Sequence, residues 1–334
     1  LLAATQGAQE PARATGNCEE GLAIFSGRVF GPIFSRRLGN SLGVDLVPFK
    51  TCTYDCIYCQ LGRTTNRTLE RRAFFPVAAV LDEVEAKLAA GPPPDYITLS
   101  GSGEPTLHSE IEAIIAKLKE RSQIPVAVLT NGSLLYQAEV RRALLRADVV
   151  LPSLDAGDAE LFNYVNRPHP ALSFDQVVEG LIRFREEYAG ALWLEVFLLG
   201  GVTAIEDEVR KLAKWVELIK PDKIQINTVT RPPAEEFAFS VPEEELHRLA
   251  PILGRNAEVI ALHHEVAAQG KTWIQEQELF NVLRRRPVTL EEIAAGLGIH
   301  PAEAAKRVQE LLATGKIKST KVGSIIYYLL ANQS

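Results

Sequence analysis

The 334-residue chain is 46% hydrophobic and 23% charged, enough for a large core and too long for one small domain. A net charge of −6 excludes the global basic field that draws proteins to nucleic acid or anionic membranes. Four cysteines, three of them within eight residues, do not make a secreted disulfide framework; they predict a reducing, cytoplasmic setting.

Residues 1–26 lack a basic stretch followed by a long apolar run, so they predict a disordered lead-in and no secretory signal. From about residue 44 to 229, β-rich stretches alternate with amphipathic helical ones. Predicted strands are Val44–Pro48, Tyr96–Ser100, Val126–Thr130, Val149–Leu154, Leu192–Leu199 and Lys223–Thr228. Predicted helices are Val77–Ala90, Glu110–Arg121, Glu139–Leu145, Phe174–Tyr188 and Ala204–Lys220. The apolar run Ala191–Val202 is short and contains Glu195, so it predicts a buried strand and no membrane span. Six β/α units in series predict a parallel sheet with helices outside it. Six are too few for a closed eight-fold barrel, so the expected α/β fold is an open partial (β/α)6 barrel of the TIM type. Its ligand site is expected at the C-terminal ends of the strands, where Gly101-Ser102-Gly103-Glu104, Asn131-Gly132-Ser133, Asp155 and Gly200-Gly201 fall.

Past Arg231-Pro232-Pro233-Ala234 the pattern changes. A helix near Glu243–Leu253 and an apolar stretch near Val259–Leu262 extend the barrel domain to about 265. Helices at Gln275–Arg285, Thr289–Leu297 and Pro301–Ala313, then strands at Lys316–Lys321 and Ile325–Leu329, predict a winged helix-turn-helix domain over 272–334. Thr289 with Glu292 has capping-box spacing. This segment carries eight basic residues against six Glu, a mild basic tilt that permits nucleic-acid binding without requiring it.

Cys52-x3-Cys56-x2-Cys59 is compact enough for one loop to wrap an inorganic core. Thiolate is the preferred ligand of iron–sulfur clusters, and three thiolates leave one iron of a [4Fe–4S] cube without a cysteine. That pattern points to an iron kept for a substrate or cofactor. A zinc site completed by a distant His and a thiol redox site are the alternatives.

The cysteine motif, with the aromatic Tyr58 before its last thiol and a β/α chain around it, resembles the radical S-adenosylmethionine (SAM) superfamily. The resemblance implies that Cys52, Cys56 and Cys59 hold a [4Fe–4S] cluster whose open iron chelates SAM. One-electron cleavage of SAM then yields a 5′-deoxyadenosyl radical that takes hydrogen from a substrate. It also implies that the backbone at Gly103-Glu104-Pro105 binds the SAM amino group. Thr130-Asn131-Gly132 and Ser153-Leu154-Asp155 correspond to contacts with its methionine part and ribose, and Tyr58 lies near adenine. Without the resemblance these residues are ordinary turn and capping chemistry. An electron donor such as flavodoxin or ferredoxin is implied as well.

Several stretches narrow the resemblance: Gly31–Gly39, Ser100–Leu107, Tyr164-Val165-Asn166-Arg167-Pro168 and Asn227–Pro233. With the winged helix they resemble bacterial iron–sulfur oxidoreductases grouped near the tRNA wyosine synthetases. Those synthetases carry a second cluster on three further cysteines. This chain has only Cys18 besides the motif, so wyosine synthesis itself is not implied.

Lys50 beside the loop has the chemistry for a Schiff base, although a solvated or anion-pairing role is simpler. Arg36, Arg37 and Arg231 are candidates to clamp a phosphate or carboxylate, with surface or interdomain ion pairing as the alternative; Arg167 is a weaker candidate. Glu195 would bind SAM or substrate if it faces the lumen. Adjacent His263-His264-Glu265 point to opposite faces if they lie on a strand, which argues against a metal there. The expected function is radical SAM chemistry on an unidentified substrate, RNA or a nucleotide, with the winged helix holding nucleic acid. One alternative substrate is a protein or small metabolite, with the winged helix binding a protein partner. The other reading is an iron–sulfur, DNA-binding redox sensor.

Overall fold

The computed structural model describes residues 27–35, 37–260, 276–283, 285–297 and 299–331. Cys18, Arg36 and His263-His264-Glu265 lie outside them. In chain order the first elements are β1 (Val29–Ser35), β2 (Gly39–Val44), two-residue strands β3 (Thr51–Cys52) and β4 (Asn66–Arg67), α1 (Val77–Ala89) and β5 (Tyr96–Leu99). Next come α2 (Ile111–Arg121), β6 (Val126–Thr130), α3 (Ala138–Leu144), β7 (Val149–Pro152), α4 (Ala159–Val165) and α5 (Phe174–Glu187). Then follow β8 (Ala191–Leu198), α6 (Glu206–Ile219), β9 (Lys223–Thr228), α7 (Glu243–Leu253) and β10 (Ala257–Val259).

The main sheet runs β1-β2-β5-β6-β7-β8-β9-β10. Only the β1–β2 pairing is antiparallel; from β2 onward every neighbour is parallel. This is an α/β fold consistent with a partial barrel. Residues of β2, β5, β6, β7, β8 and β9 line one cavity, so the sheet curves around it. The outer face is the main core: Leu99, Val128, Val150 and Leu194 meet Val84, Ile114, Leu181 and Leu212 of the helices. A small apolar cluster of Leu38, Ala127, Val149 and Leu151 fills part of the inner face.

Two edge elements differ from the sequence reading. The first barrel strand is Gly39–Val44, ending where the predicted one begins. Gly39, Asn40 and Gly43 made it look like a loop, yet the Phe30 ring of β1 covers Gly43 so closely that a Cβ would collide with it. Leu46 and Val47 are buried from a coil, which explains their strand-like apolarity. β10 adds a parallel edge strand against β9, beyond the six expected.

The C-terminal segment holds α8 (Glu276–Leu283), α9 (Leu290–Leu297), α10 (Pro301–Ala313) and an antiparallel hairpin of β11 (Ile317–Val322) and β12 (Ile325–Leu330). Leu279, Leu283, Ile293, Val308 and Ile317 form its own apolar core. Thr289 and Glu292 make the expected capping box at the start of α9, each side chain accepting the other's backbone N–H at 3.2 and 3.1 Å. No described helix is long and apolar enough to cross a membrane.

Gly180 in α5 lies against the backbone of Leu135 and Tyr136, and a Cβ there would overlap the Tyr136 amide nitrogen. The helix can clear that backbone only by moving off the sheet. We expect Gly180→Ala to lower unfolding free energy by about 1–3 kcal/mol in urea titration, whereas a neutral or stabilising effect would contradict this packing.

Candidate functional site

The cavity of about 430 Å³ opens at the C-terminal ends of the parallel strands. Cys52, Cys56 and Cys59 all line it, together with Tyr58, Gly103, Glu104, Thr130, Asn131 and Ser153. The loop carrying the thiols is pinned at several points. Lys50 N–H donates to Ser102 O at 2.7 Å, Ile57 N–H to Val165 O at 2.9 Å, and Asp55 N–H to Asn166 O at 3.0 Å.

Burial raises the pKa of each thiol. Cys52 is pushed up to about 12 by desolvation and then by the Glu104 charge. Cys56 is raised well above its usual value by burial, then by Asp155, Cys52 and Cys59. Cys59 is raised by burial, partly offset by the Leu61 backbone N–H and the Lys50 charge. Clustered thiols of this kind become thiolates when a metal core supplies positive charge. Amide N–H groups already aim at two sulfurs: Asn131 Nδ2 at Cys52 and Asn166 Nδ2 at Cys56, each 3.5 Å away. A [4Fe–4S] cube takes each thiolate on a different iron, and three thiols on one short loop at the cavity wall fit such a group.

The sequence-predicted residues around the thiols form two hydrogen-bonded groups. In the first, the buried Glu104 carboxylate caps a short 3-10 turn, Pro105–Leu107, and accepts from Thr106 N–H at 3.0 Å. It also accepts from Thr130 Oγ1 and Asn131 N–H, both at 2.7 Å. The side chain therefore ties the ends of β5 and β6 together. Gly103 crosses so close to Thr51 that a Cβ would run into the Thr51 carbonyl oxygen.

In the second group, the Tyr58 hydroxyl donates to Asp155 Oδ2 at 2.5 Å, and its ring stacks on Phe197 with centroids 3.9 Å apart. Asp155 also accepts from Asn166 Nδ2 at 2.8 Å and Phe197 N–H at 3.2 Å. Asp155 and Glu104 thus have their oxygens engaged within the protein. Ser153 lines the cavity beside Glu195, with which it forms an isolated bridge.

Glu195 does face the lumen. It makes a two-point ion pair with Arg37 and accepts from Asn227 Nδ2 at 2.9 Å. Arg231 is held by Glu292 of α9, both side chains largely buried, so the interdomain alternative describes it. Arg167 pairs with Glu235.

Three contributors were not assigned from sequence. Asn166 sits in the quoted Tyr164–Pro168 stretch, which was its only signal. Asp45 accepts from Ser102 N–H at 2.5 Å and from Arg285 Nε at 2.8 Å. Arg285, just beyond α8, brings the C-terminal segment to the turn that carries Gly103. It also stacks over Phe30 at 4.2 Å and donates to Gly27 O at 2.8 Å. The cavity lining holds five cationic side chains, Arg37, Lys50, Arg231, Arg285 and Arg286, against two carboxylates, Glu104 and Glu195. Of these cations Arg37, Arg231 and Arg285 are paired, with Glu195, Glu292 and Asp45.

Comparison with known proteins agrees with this geometry. Residues 46–216 match the radical SAM superfamily, and the chain belongs to it. Members of that superfamily bind a [4Fe–4S] cluster and SAM. Within it, a UPF0026 protein of Methanocaldococcus jannaschii is 32% identical over 299 residues, 89% of each chain. A protein named GTPase Obg from Brachyspira hyodysenteriae is 39% identical over 304 residues, 90% of this chain but 45% of that protein. The chain thus spans about half of that relative. Among solved structures, a radical SAM methyltransferase from Sphaerobacter thermophilus superposes with a TM-score of 0.51 at 20% identity, over 66% of this chain and 65% of that one. That likeness concerns the fold alone.

Burial pushes Asp155 up to about 6 from an ordinary 3.8. Between those values the folded chain binds more protons than the unfolded one. Its contribution to stability is complete below the unfolded pKa and is lost as pH rises through the folded one. Metal-free wild type should therefore lose more unfolding free energy than Asp155→Asn between about pH 4 and about pH 7. Equal losses in urea titrations would show that Asp155 does not ionise in a dry site.

Proposed function

We propose that the chain is a radical SAM enzyme in which Cys52, Cys56 and Cys59 hold the [4Fe–4S] cluster. The observation that carries this reading is the set of three half-buried thiols on one short loop, lining a single cavity together with Tyr58, Gly103 and Glu104 at the strand ends. When bound there, the reduced cluster and SAM supply a 5′-deoxyadenosyl radical that abstracts hydrogen from the substrate. The protein's part is to position and to exclude water. The backbone at Gly103 receives the SAM amino group, held in place by Glu104 and Asp45. Thr130, Asn131 and Ser153 border the methionine and ribose. Tyr58, stacked on Phe197 and fixed by Asp155, borders the adenine. Electrons come from a small carrier such as flavodoxin or ferredoxin, in the cytoplasm.

In this reading residues 27–265 form the radical SAM domain and 272–334 a winged helix, as the helix order and hairpin support. The group near the tRNA wyosine synthetases is the ancestry that the sequence supports. For the substrate, RNA or a nucleotide is the first reading, with the winged helix as its holder. A specific observation favours a protein or small metabolite instead. On α10, the helix that would read nucleic acid, Arg307 is paired with both Glu303 and Glu310. Phosphate affinity depends on several available cations, and that pairing removes one.

The test is anaerobic incubation of reconstituted, reduced protein with SAM, assaying 5′-deoxyadenosine with and without total RNA. Deoxyadenosine is expected, and Ala at Cys52, Cys56 or Cys59 should abolish it while Cys18→Ala leaves it intact. A rise with RNA, lost steeply as salt increases, would support the nucleic-acid branch; no response to RNA supports the metabolite or protein branch. Loss of the cluster in Cys18→Ala would overturn the ligand assignment.

A further inference from the structure

Lys50 is the cavity cation whose surroundings are least ordinary. Its φ is +58°, a left-handed conformation that side chains other than glycine rarely adopt. The conformation is enforced from both sides: the Lys50 N–H donates to Ser102 O at 2.7 Å, and its carbonyl accepts from Asn66 N–H at 3.1 Å. The residue is only 8% exposed, and it lines the cavity next to the cysteine loop. Arg37, Arg231 and Arg285 each have a carboxylate partner, in Glu195, Glu292 and Asp45. No described carboxylate pairs with the Lys50 ammonium, which lies over the Phe49 ring at 5.4 Å and close enough to the Cys59 thiol for its charge to act there. A cavity-lining ammonium with no carboxylate partner, on a backbone held in a left-handed conformation, is placed to meet an anion that enters the cavity.

We propose that Lys50 Nζ is an anion-binding site of the cavity, taking a carboxylate or phosphate oxygen of a bound molecule. The site rests on the reading of the cavity as the place of SAM and substrate. Two molecules could bring the anion: SAM through its amino-acid carboxylate, or the substrate through a carboxylate or phosphate of its own. Both bring the same oxygen chemistry, and the choice decides whether Lys50 serves every turnover or selects the substrate class.

The experiment uses the reconstituted full chain. Dissociation constants are measured for SAM and for decarboxylated SAM on wild type, Lys50→Gln and Lys50→Arg, with iron content and reduction potential recorded for each. In parallel, acetylation of Lys50 by acetic anhydride is followed by mass spectrometry on wild type, with exposed Lys318 as internal reference. If the anion is the SAM carboxylate, Lys50→Gln weakens SAM by about tenfold or more, spares decarboxylated SAM, and is largely rescued by Lys50→Arg. SAM then protects Lys50 from acetylation better than decarboxylated SAM does. If the anion belongs to the substrate, SAM affinity is unchanged in Lys50→Gln. Inorganic phosphate then slows acetylation of Lys50, but not Lys318, in the SAM-bound wild type.

The proposal is overturned if SAM affinity is unchanged and neither SAM's carboxylate nor phosphate protects Lys50. It is equally overturned if Lys50→Gln moves only iron content or reduction potential, which would make Lys50 a partner of the cluster. Should the variant fail to take up iron, the wild-type protection data decide alone. Wild type that binds no SAM would defeat the cofactor reading of the cavity, while phosphate protection would still report on Lys50.

Discussion

Asp45, Glu104 and Asp155 each leave the C-terminal end of a strand and accept a backbone N–H from a different strand or the turn beyond it. Asp45, after β2, takes Ser102; Glu104, after β5, takes Asn131; Asp155, after β7, takes Phe197 of β8. These charge-assisted bonds staple neighbouring strand ends where the parallel ladder runs out and backbone groups would otherwise be unsatisfied. Burial raises the pKa of all three, so each would be a liability without its donors. The thiol loop depends on the same staples. Asn131, fixed by Glu104, reaches Cys52, and Asn166, fixed by Asp155, reaches Cys56.

The staple at Asp45 also explains how the C-terminal segment is joined to the chemistry. Asp45 is shared between Ser102 N–H and Arg285, and the Asp45 and Arg285 side chains are each only 10% exposed. The segment has a core of its own, yet only the Asp45 carboxylate separates Arg285 from the turn that carries Gly103. Arg231 with Glu292, and the Tyr327 hydroxyl on the Thr230 carbonyl, add polar contacts on the β9 side. A displacement of this segment would therefore release the turn that carries Gly103 on one side and the loop after β9 on the other.

The repeating β/α order and the three-helix-plus-hairpin ending were legible because apolar periodicity is local. Strand β2 was misplaced because Gly39 and Gly43 read as loop, and only the Phe30 ring of another strand explains why glycine belongs there. The cysteine loop stood out because its spacing is short and chemically specific. Asn166 and Asp45 did not, since each acquires its role from a partner 110 or 240 residues away in the chain. Glu195 showed only as a carboxylate in an apolar strand. Its partner was among the named arginines, but which arginine, and from which end, is set by the curvature of the sheet. Glu104 was legible twice over, as part of a glycine turn and as a cap, and the side chain does the capping.

The central claim is that three thiols hold a cube whose fourth iron is left to SAM. Mössbauer spectroscopy of anaerobically reconstituted protein, with and without SAM, addresses it most directly. The account predicts one iron distinct from the other three, and a shift of that iron alone when SAM is added. Four equivalent irons indifferent to SAM, or a protein that retains zinc and no cluster, would contradict it.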